Sequence, residues 1–275
     1  MIEKIYIPTI ARSDSQITYN NLPPELQKRV IMVVQHHERE QYNYPVEYLE
    51  VGDNIGIAKT REIIFNHAML SGRDCNYAVI DDDITFSRRN SKYWSKTDNM
   101  EKSKRYCTEN DVLEMFEQFD SWLESGYTLV GCGHPEHPPS DTQYTDHKTQ
   151  GSCGWYNGKL LHKALPEIDL CHVEIAEDMY LLLELFTKGH RNRVSNEFVF
   201  HNNSVYKKSL KSEIWDNQDK MHSLEQWKKI EAKFPEFVTV LGTDGGFRDH
   251  VKVRVKWRKA YRSSQVRNLK SLFGE

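Results

Sequence analysis

The feature that most constrains the fold is an alternation in the first eighty residues, where short β-rich runs are separated by segments of helical spacing. "KIYIPTI" reads as an early strand and "LPPELQKRV" as a short helix opened by Pro23 and Pro24. "VIMVVQ" is a β-branched run of the kind buried on both faces in a parallel sheet. "PVEYLEVG" is a third strand, and "NIGIAKTREIIFNHAML" follows with Ile57, Ile64, Phe65 and Ala68 at helical spacing. "NYAVIDDD" closes the series as a fourth strand. Strands alternating with helices predict an α/β domain with a mostly parallel sheet flanked by helices.

Further along, "ENDVLEMFEQFDSWLESG" has the pattern of an amphipathic helix stopped by Gly126, "YTLVGCG" of a strand, and "CGWYNGKLL" of a hairpin or strand. "EIAEDMYLLLELFTKGH" predicts a helix with Ile175, Met179, Leu182, Leu183 and Phe186 on one face and acids crowding its start. Residues 90–106 and 134–151 lack periodicity and read as long loops, a length that suits lids or binding loops. From Tyr206 onward the chain turns charged, which sets a boundary at 205/206 and makes 206–275 a helical and basic extension.

Net charge is −3 over 275 residues, so nothing global marks a nucleic-acid binder, yet "FRDHVKVRVKWRKAYRSSQVRNLK" is strongly basic. "HVKVRVKWRKAYR" alternates apolar and basic residues, as an edge strand with one cationic face would; it follows a phosphate backbone or is solvated surface. Five cysteines, an odd number with no CxxC pair, argue for reduced thiols over a disulfide framework. No apolar run approaches membrane-spanning length and the start lacks a signal-peptide pattern, so a cytoplasmic location without a membrane partner is expected. No feature marks an obligate protein partner.

The chemistry concentrates in "YAVIDDDITF". Strand alternation places Asp81 and Asp83 on one side and Asp82 on the other. The carboxyl end of a strand in an open α/β sheet is where ligands usually bind. Neighbouring carboxylates resist being ionised together unless a cation lies between them, and hard oxygen donors favour Mg2+ or Mn2+ over zinc. An exposed acidic turn is the alternative, but apolar sequence on both sides speaks against it.

"IPTIARSDS", "GDNIGIAKTR", "VIDDD" and "EIAEDMYLLLELFTKGHR", in that order, resemble the GT-A fold of nucleotide-sugar glycosyltransferases over roughly residues 5–204. Within that fold the pattern looks most like the TET/JBP-associated glycosyltransferases, phage-type enzymes that sugar-modify hydroxymethylated pyrimidines in DNA. The resemblance implies a nucleotide-sugar-binding and catalytic domain at 1–205, with 206–275 available to the DNA acceptor. It implies a UDP-sugar donor, hydroxymethylcytosine or a related pyrimidine in DNA as acceptor, and the host cytoplasm as location. By the same resemblance "DDD" corresponds to the metal-binding DxD, with Asp81 and Asp83 as ligands, and His201 of "VFHNNS" to a late metal ligand.

The remaining candidates follow from the same match. Asp178, at the start of its helix, is the general base if the reaction inverts and an acceptor-positioning group if it retains. Thr9, Arg12, Arg61, Asp81 and Asp82 are candidates for the nucleotide, since an arginine fork suits phosphate or a pyrimidine carbonyl, with surface ion pairing as the alternative for the arginines. Glu177 and Trp155 are candidate acceptor or sugar contacts; for Trp155, core packing is the competing reading. Two rivals stand beside this function: the same fold acting on a glycan, lipid or protein, and a metal-dependent nuclease or nucleotidyltransferase using the same aspartates.

Overall fold

The computed structural model describes residues 1–72, 74–89, 104–134, 142–203, 218–243 and 251–272. Residues 90–103 and 135–141 of the two expected loops, and the boundary at 205/206, lie outside them; the described remainder of the loops contains short strands at Lys104–Tyr106 and Tyr144–Asp146. The chain divides into two compact units: Met1–Ile55, Ile63–Leu165 and Arg191–Asn203 form the first, and Gly56–Glu62, Pro166–His190 and Ser204–Glu275 the second.

The first unit is built on strands β1 (Ile2–Pro8), β2 (Val30–Gln35), β3 (Glu47–Val51), β4 (Asn76–Ile80), β5 (Ile84–Arg89), β6 (Lys104–Tyr106), β7 (Leu129–Gly133), β8 (Tyr144–Asp146), β9 (Cys153–Tyr156) and β10 (Asn192–Asn202). Its short helices α1 (Ile17–Asn21) and α2 (Pro24–Gln27) lie between β1 and β2, and Pro24 opens α2 as its sequence suggests. The sheet runs β3-β2-β1-β4-β9-β7-β10-β5-β6, with β8 beside β10.

The order is mixed rather than mostly parallel. β3, β2, β1 and β4 are parallel, β9 enters antiparallel between β4 and β7, and β10 is parallel to β7 but antiparallel to β5. One cause is the connection after β4. Three residues, Asp81 to Asp83, cannot supply the crossover of a dozen or more that parallel strands need, so β5 returns in the opposite direction and pairs with β10 and β6. "ITFSRR", to which the sequence assigns no element of its own, is therefore a strand. "CGWYNGKLL" divides into β9 and a helix α5 (Gly158–Ala164), capped by the Asn157 side chain accepting from Leu160 N at 2.9 Å.

β1 carries its pleat into two different environments. Ile5 and Ile7 join Val30, Met32, Val34, Ala78, Ile80 and Trp155 in one core. Tyr6 faces the other way, edge-on to Tyr77, which stacks on Tyr156 and on His162 at ring distances of 5.5 and 5.7 Å. Helix α4 (Glu109–Glu124) covers the first face with Val112, Met115, Phe116, Phe119 and Leu123. Its start is fixed by a reciprocal capping box between Thr108 and Asp111.

Helix α3 (Gly56–Ser71) precedes β4, and Gly56 at φ 77° serves the turn that begins it. In the second unit, helix α6 (Glu177–Thr187) starts after Ala176, which is left-handed at φ 60°. Tyr180, Leu181, Leu182, Leu183, Leu185 and Phe186 are all buried, so the expected single apolar face is too narrow, and Met179 is only half-buried. The same unit contains a helix over Gln218–Lys233 and a two-stranded antiparallel sheet of β11 (Val238–Thr243) and β12 (Val251–Val255). A final helix spans Trp257–Leu272. Among the described residues no helix is long and apolar enough to cross a membrane.

Candidate functional site

The acidic triplet leaves the sheet at the carboxyl ends of the parallel neighbours β1 and β4. β4 stops at Ile80, so strand alternation no longer governs the side chains of residues 81–83. Their backbone is instead pinned group by group. Asp81 N donates to Ser152 O at 2.9 Å, Thr18 Oγ1 donates to Asp81 O, Thr18 N donates to Asp82 O at 2.9 Å, and Asn203 N donates to Asp83 O at 2.8 Å. With all three carbonyls engaged inside the protein, the carboxylates are what the turn offers to a ligand.

The expectation that Asp82 points away from Asp83 fails at this turn. Arg12 Nη1 bonds Asp82 Oδ1 and lies 3.2 Å from Asp83 Oδ2, so one guanidinium faces both acids. Asp82 is 6% exposed and also accepts from Thr9 Oγ1 at 2.6 Å. Thr9 Oγ1 in turn accepts from Gln16 Nε2 at 2.8 Å and meets Tyr42 OH at 3.3 Å. Tyr42 OH receives the backbone N–H of Arg12 at 3.1 Å, and Glu38 receives that of Ala11 at 2.8 Å, which holds the loop that carries Arg12. Burial, with repulsion from Asp83 and Asp81, pushes the Asp82 carboxyl up to about 7 against the opposing pull of Thr9 and Arg12.

Asp82 and Asp83 thus share a single arginine, with Asp81 next to them in the chain, and oxygen donors of this kind suit a hard divalent cation. His201, near the end of β10, is paired with Thr85 in the strand that follows the triplet. Its Nε2 sits 2.9 Å from Ser87 Oγ, and burial followed by the nearby Lys104 charge lowers its pKa, which favours the neutral ring a metal requires. Among the described residues no three His, Cys, Asp or Glu side chains converge as a ready metal cluster. The donor chemistry fits: His201 would hold a cation through Nδ1 while Nε2 keeps Ser87.

Trp155 needs a correction. It is 0% exposed on β9, with Phe119, Phe116 and Phe86 around it at ring distances of 4.8, 5.3 and 6.1 Å, and has no open face for a sugar or a base. The hairpin or strand expected at "CGWYNGKLL" is here a central strand of the sheet, which encloses the indole.

In the second unit, Arg61 and Glu177 find each other. Arg61 Nη1 lies 3.1 Å from Glu177 Oε1, and the residues are 9% and 7% exposed. A bridge between α3 and the first residue of α6 therefore joins two residues that the sequence suggests for different ligands. Asp178 is half-buried, and its Oδ1 accepts from Met179 N at 2.8 Å in the first turn of α6.

Gln16, Thr18, Glu38, Tyr42, Ser152 and Asn203 shape the acidic site without being foreseen. For Gln16 and Thr18 a signal was present, since they directly follow "ARSDS"; the others come from distant parts of the chain.

A family model described as TET-Associated Glycosyltransferase matches residues 3–209. No curated protein matches the chain. Similar solved structures include A197 from STIV, at 12% identity and a TM-score of 0.41 over 74% of this chain and 85% of that one. Another is S. aureus TarS 1-349 in complex with UDP, at 14% identity and a TM-score of 0.45 over 85% of this chain and 65% of that one.

Proposed function

This chain belongs to the TET-associated glycosyltransferase family, and from that premise we propose that it moves a sugar from a UDP-sugar to the hydroxymethyl group of hydroxymethylcytosine, or a related pyrimidine, in DNA. We read its mixed sheet as a variant of the GT-A fold. The observation that carries the proposal is the turn Asp81–Asp83. It stands at the carboxyl ends of β1 and β4 with its three carbonyls bonded inside the protein and the carboxylates of Asp82 and Asp83 on Arg12.

In this reading Asp81 and Asp83 hold Mn2+ or Mg2+, with His201 as a third ligand. When bound, such an ion neutralises charge on a departing diphosphate. The chain's own residues do the remaining work. Thr9, Arg12 and Asp82 form a rigid bracket that presents Asp83 without further reorganisation on substrate binding. Arg12 offsets part of the repulsion between Asp82 and Asp83 before donor arrives, and its guanidinium is the fork offered to the nucleotide. Asp178 accepts the acceptor hydroxyl's proton if the reaction inverts, and otherwise positions that hydroxyl. Arg61 and Glu177 fix the start of α6 and so the place of Asp178. A base inside duplex DNA must be flipped out to be modified in this way.

The test is a donor screen. Purified protein, manganese, a panel of nucleotide sugars and hydroxymethylated DNA are incubated, and the digested nucleosides are weighed by mass spectrometry. A hexose or pentose increment on the modified base is expected with at least one UDP-sugar. Unmodified nucleosides with every donor would move the assignment to a glycan, lipid or protein acceptor. DNA cleavage without sugar-dependent UDP release would move it to a nuclease.

A further inference from the structure

The second unit ends in a surface whose cations are sorted from its apolar residues by the backbone itself. Along β12, Val251, Val253 and Val255 are half-buried while Lys252 and Arg254 are exposed on the opposite face. Across the antiparallel ladder Lys252 lies beside Gly242 and Arg254 beside Thr239. The helix that follows repeats the sorting at its own period. Ala260 and Ser264 are buried, and Trp257 and Tyr261 meet Phe186 edge-on at 6.2 Å each. Arg258, Lys259 and Arg262 are exposed, as is Lys256 between strand and helix. No Asp or Glu occurs from Val251 to Leu272. Lys259 has a partner in Glu236 at 3.7 Å.

We propose that β12 and the Trp257–Leu272 helix form a docking surface for the phosphate backbone of double-stranded DNA. This deepens the acceptor assignment above and rests on it. Exposed cations on a strand recur every second residue, about 6.7 Å, close to twice the ~3.4 Å axial spacing of phosphates along one DNA strand. The absence of acids from Val251 to Leu272 lets the field of these cations add, and a polyanion is its natural complement. An anionic membrane would demand an apolar outer face beneath the cations. Trp257 and Tyr261 are instead turned to Phe186, and Val266 is the only exposed large apolar residue described in these two elements. Trp257 and Tyr261 therefore serve packing, and the recognition is of backbone rather than base.

The test measures binding of the full chain to a labelled duplex of roughly 20 base pairs with no modified base, by fluorescence anisotropy from about 50 to about 200 mM salt. The comparison is a variant carrying Lys252→Gln, Arg254→Gln, Arg258→Gln and Arg262→Gln. All four are exposed, so melting temperature and circular dichroism should match the parent. Removing four phosphate contacts is expected to weaken binding on the order of a hundredfold or more in the lower half of that range and to lower the log–log salt slope by about 3 to 4. An unchanged slope overturns the proposal, as does stronger binding to phosphatidylserine vesicles than to duplex. Donor-dependent UDP release without DNA is read in parallel. It stays intact if only the docking surface is wrong, and is missing from parent and variant alike if the transferase reading is wrong.

Discussion

Asp82 and Asp83 are adjacent in sequence and share Arg12, yet they should fail differently when truncated. Asp82 is buried against Thr9 and Arg12, so Asp82→Ala leaves hydrogen-bonding groups unmatched in the interior. A loss of about 2–4 kcal/mol in urea unfolding is expected. Asp83 retains more solvent contact, and its backbone carbonyl keeps the Asn203 bond whatever the side chain is. Asp83→Ala should therefore leave stability within about 1 kcal/mol while transfer falls at least a hundredfold, roughly 2.7 kcal/mol of barrier. Equal stability losses in the two variants would contradict the bracket role given to Asp82. The Arg61–Glu177 bridge allows a second measurement. Glu177→Ala should destabilise by on the order of 3 kcal/mol, and a double-mutant cycle with Arg61→Leu should show a coupling of about 1–3 kcal/mol. Additive losses would mean that the contact is incidental. The cluster of acids itself was legible from sequence, because three carboxylates after a buried run have few structural uses. Which of them is buried was not, because the rule of alternation ends where β4 ends, at Ile80.

At the scale of elements, what could be read depended on whether neutralising partners are local. β2 is legible from "VIMVVQ" alone, since six buried residues in a row need no outside help. β5 is hidden because it ends in Arg88 and Arg89. Arg88 becomes tolerable inside the sheet only through Glu197 at 2.6 Å, Glu114 at 2.6 Å and Asp111 at 3.0 Å, residues that folding brings from α4 and β10. Asp111 is the centre of that arrangement. It caps α4 and binds both Arg88 and Arg105, and the Arg105 bond above all holds its carboxyl well below the usual carboxylate range. A folded-state pKa below the unfolded value of ~3.9 means that the unfolded chain binds the extra proton. The stabilisation is therefore complete above about pH 4 and is lost as pH falls further. Asp111→Asn should cost about 2–3 kcal/mol at neutral pH, discounted for the exposure of Arg105 and Glu114. The gap between variant and parent should narrow steadily once pH drops below about 4. Urea unfolding at neutral and acid pH measures both, and a gap independent of pH would assign the loss to packing instead of charge.

For the whole molecule, the last 25 residues hold eight Lys and Arg against one Glu, so a total of −3 leaves the other 250 residues at −10. A strongly acidic body with a cationic end gains association with DNA only where the end is in contact, and that gain is electrostatic. Donor binding differs in kind, because a nucleotide diphosphate held by a few short bonds in a partly buried bracket is screened far less by salt. Raising salt from about 50 to about 200 mM should therefore raise the KM for hydroxymethylated DNA by a factor on the order of a thousand, as several released counterions require. Over the same interval the KM for the UDP-sugar should change by no more than about threefold. Steady-state kinetics with each substrate varied in turn separates the two. Parallel shifts of both constants would show that salt acts on the fold, and a salt-insensitive KM for DNA would show that the acceptor is held by its base alone.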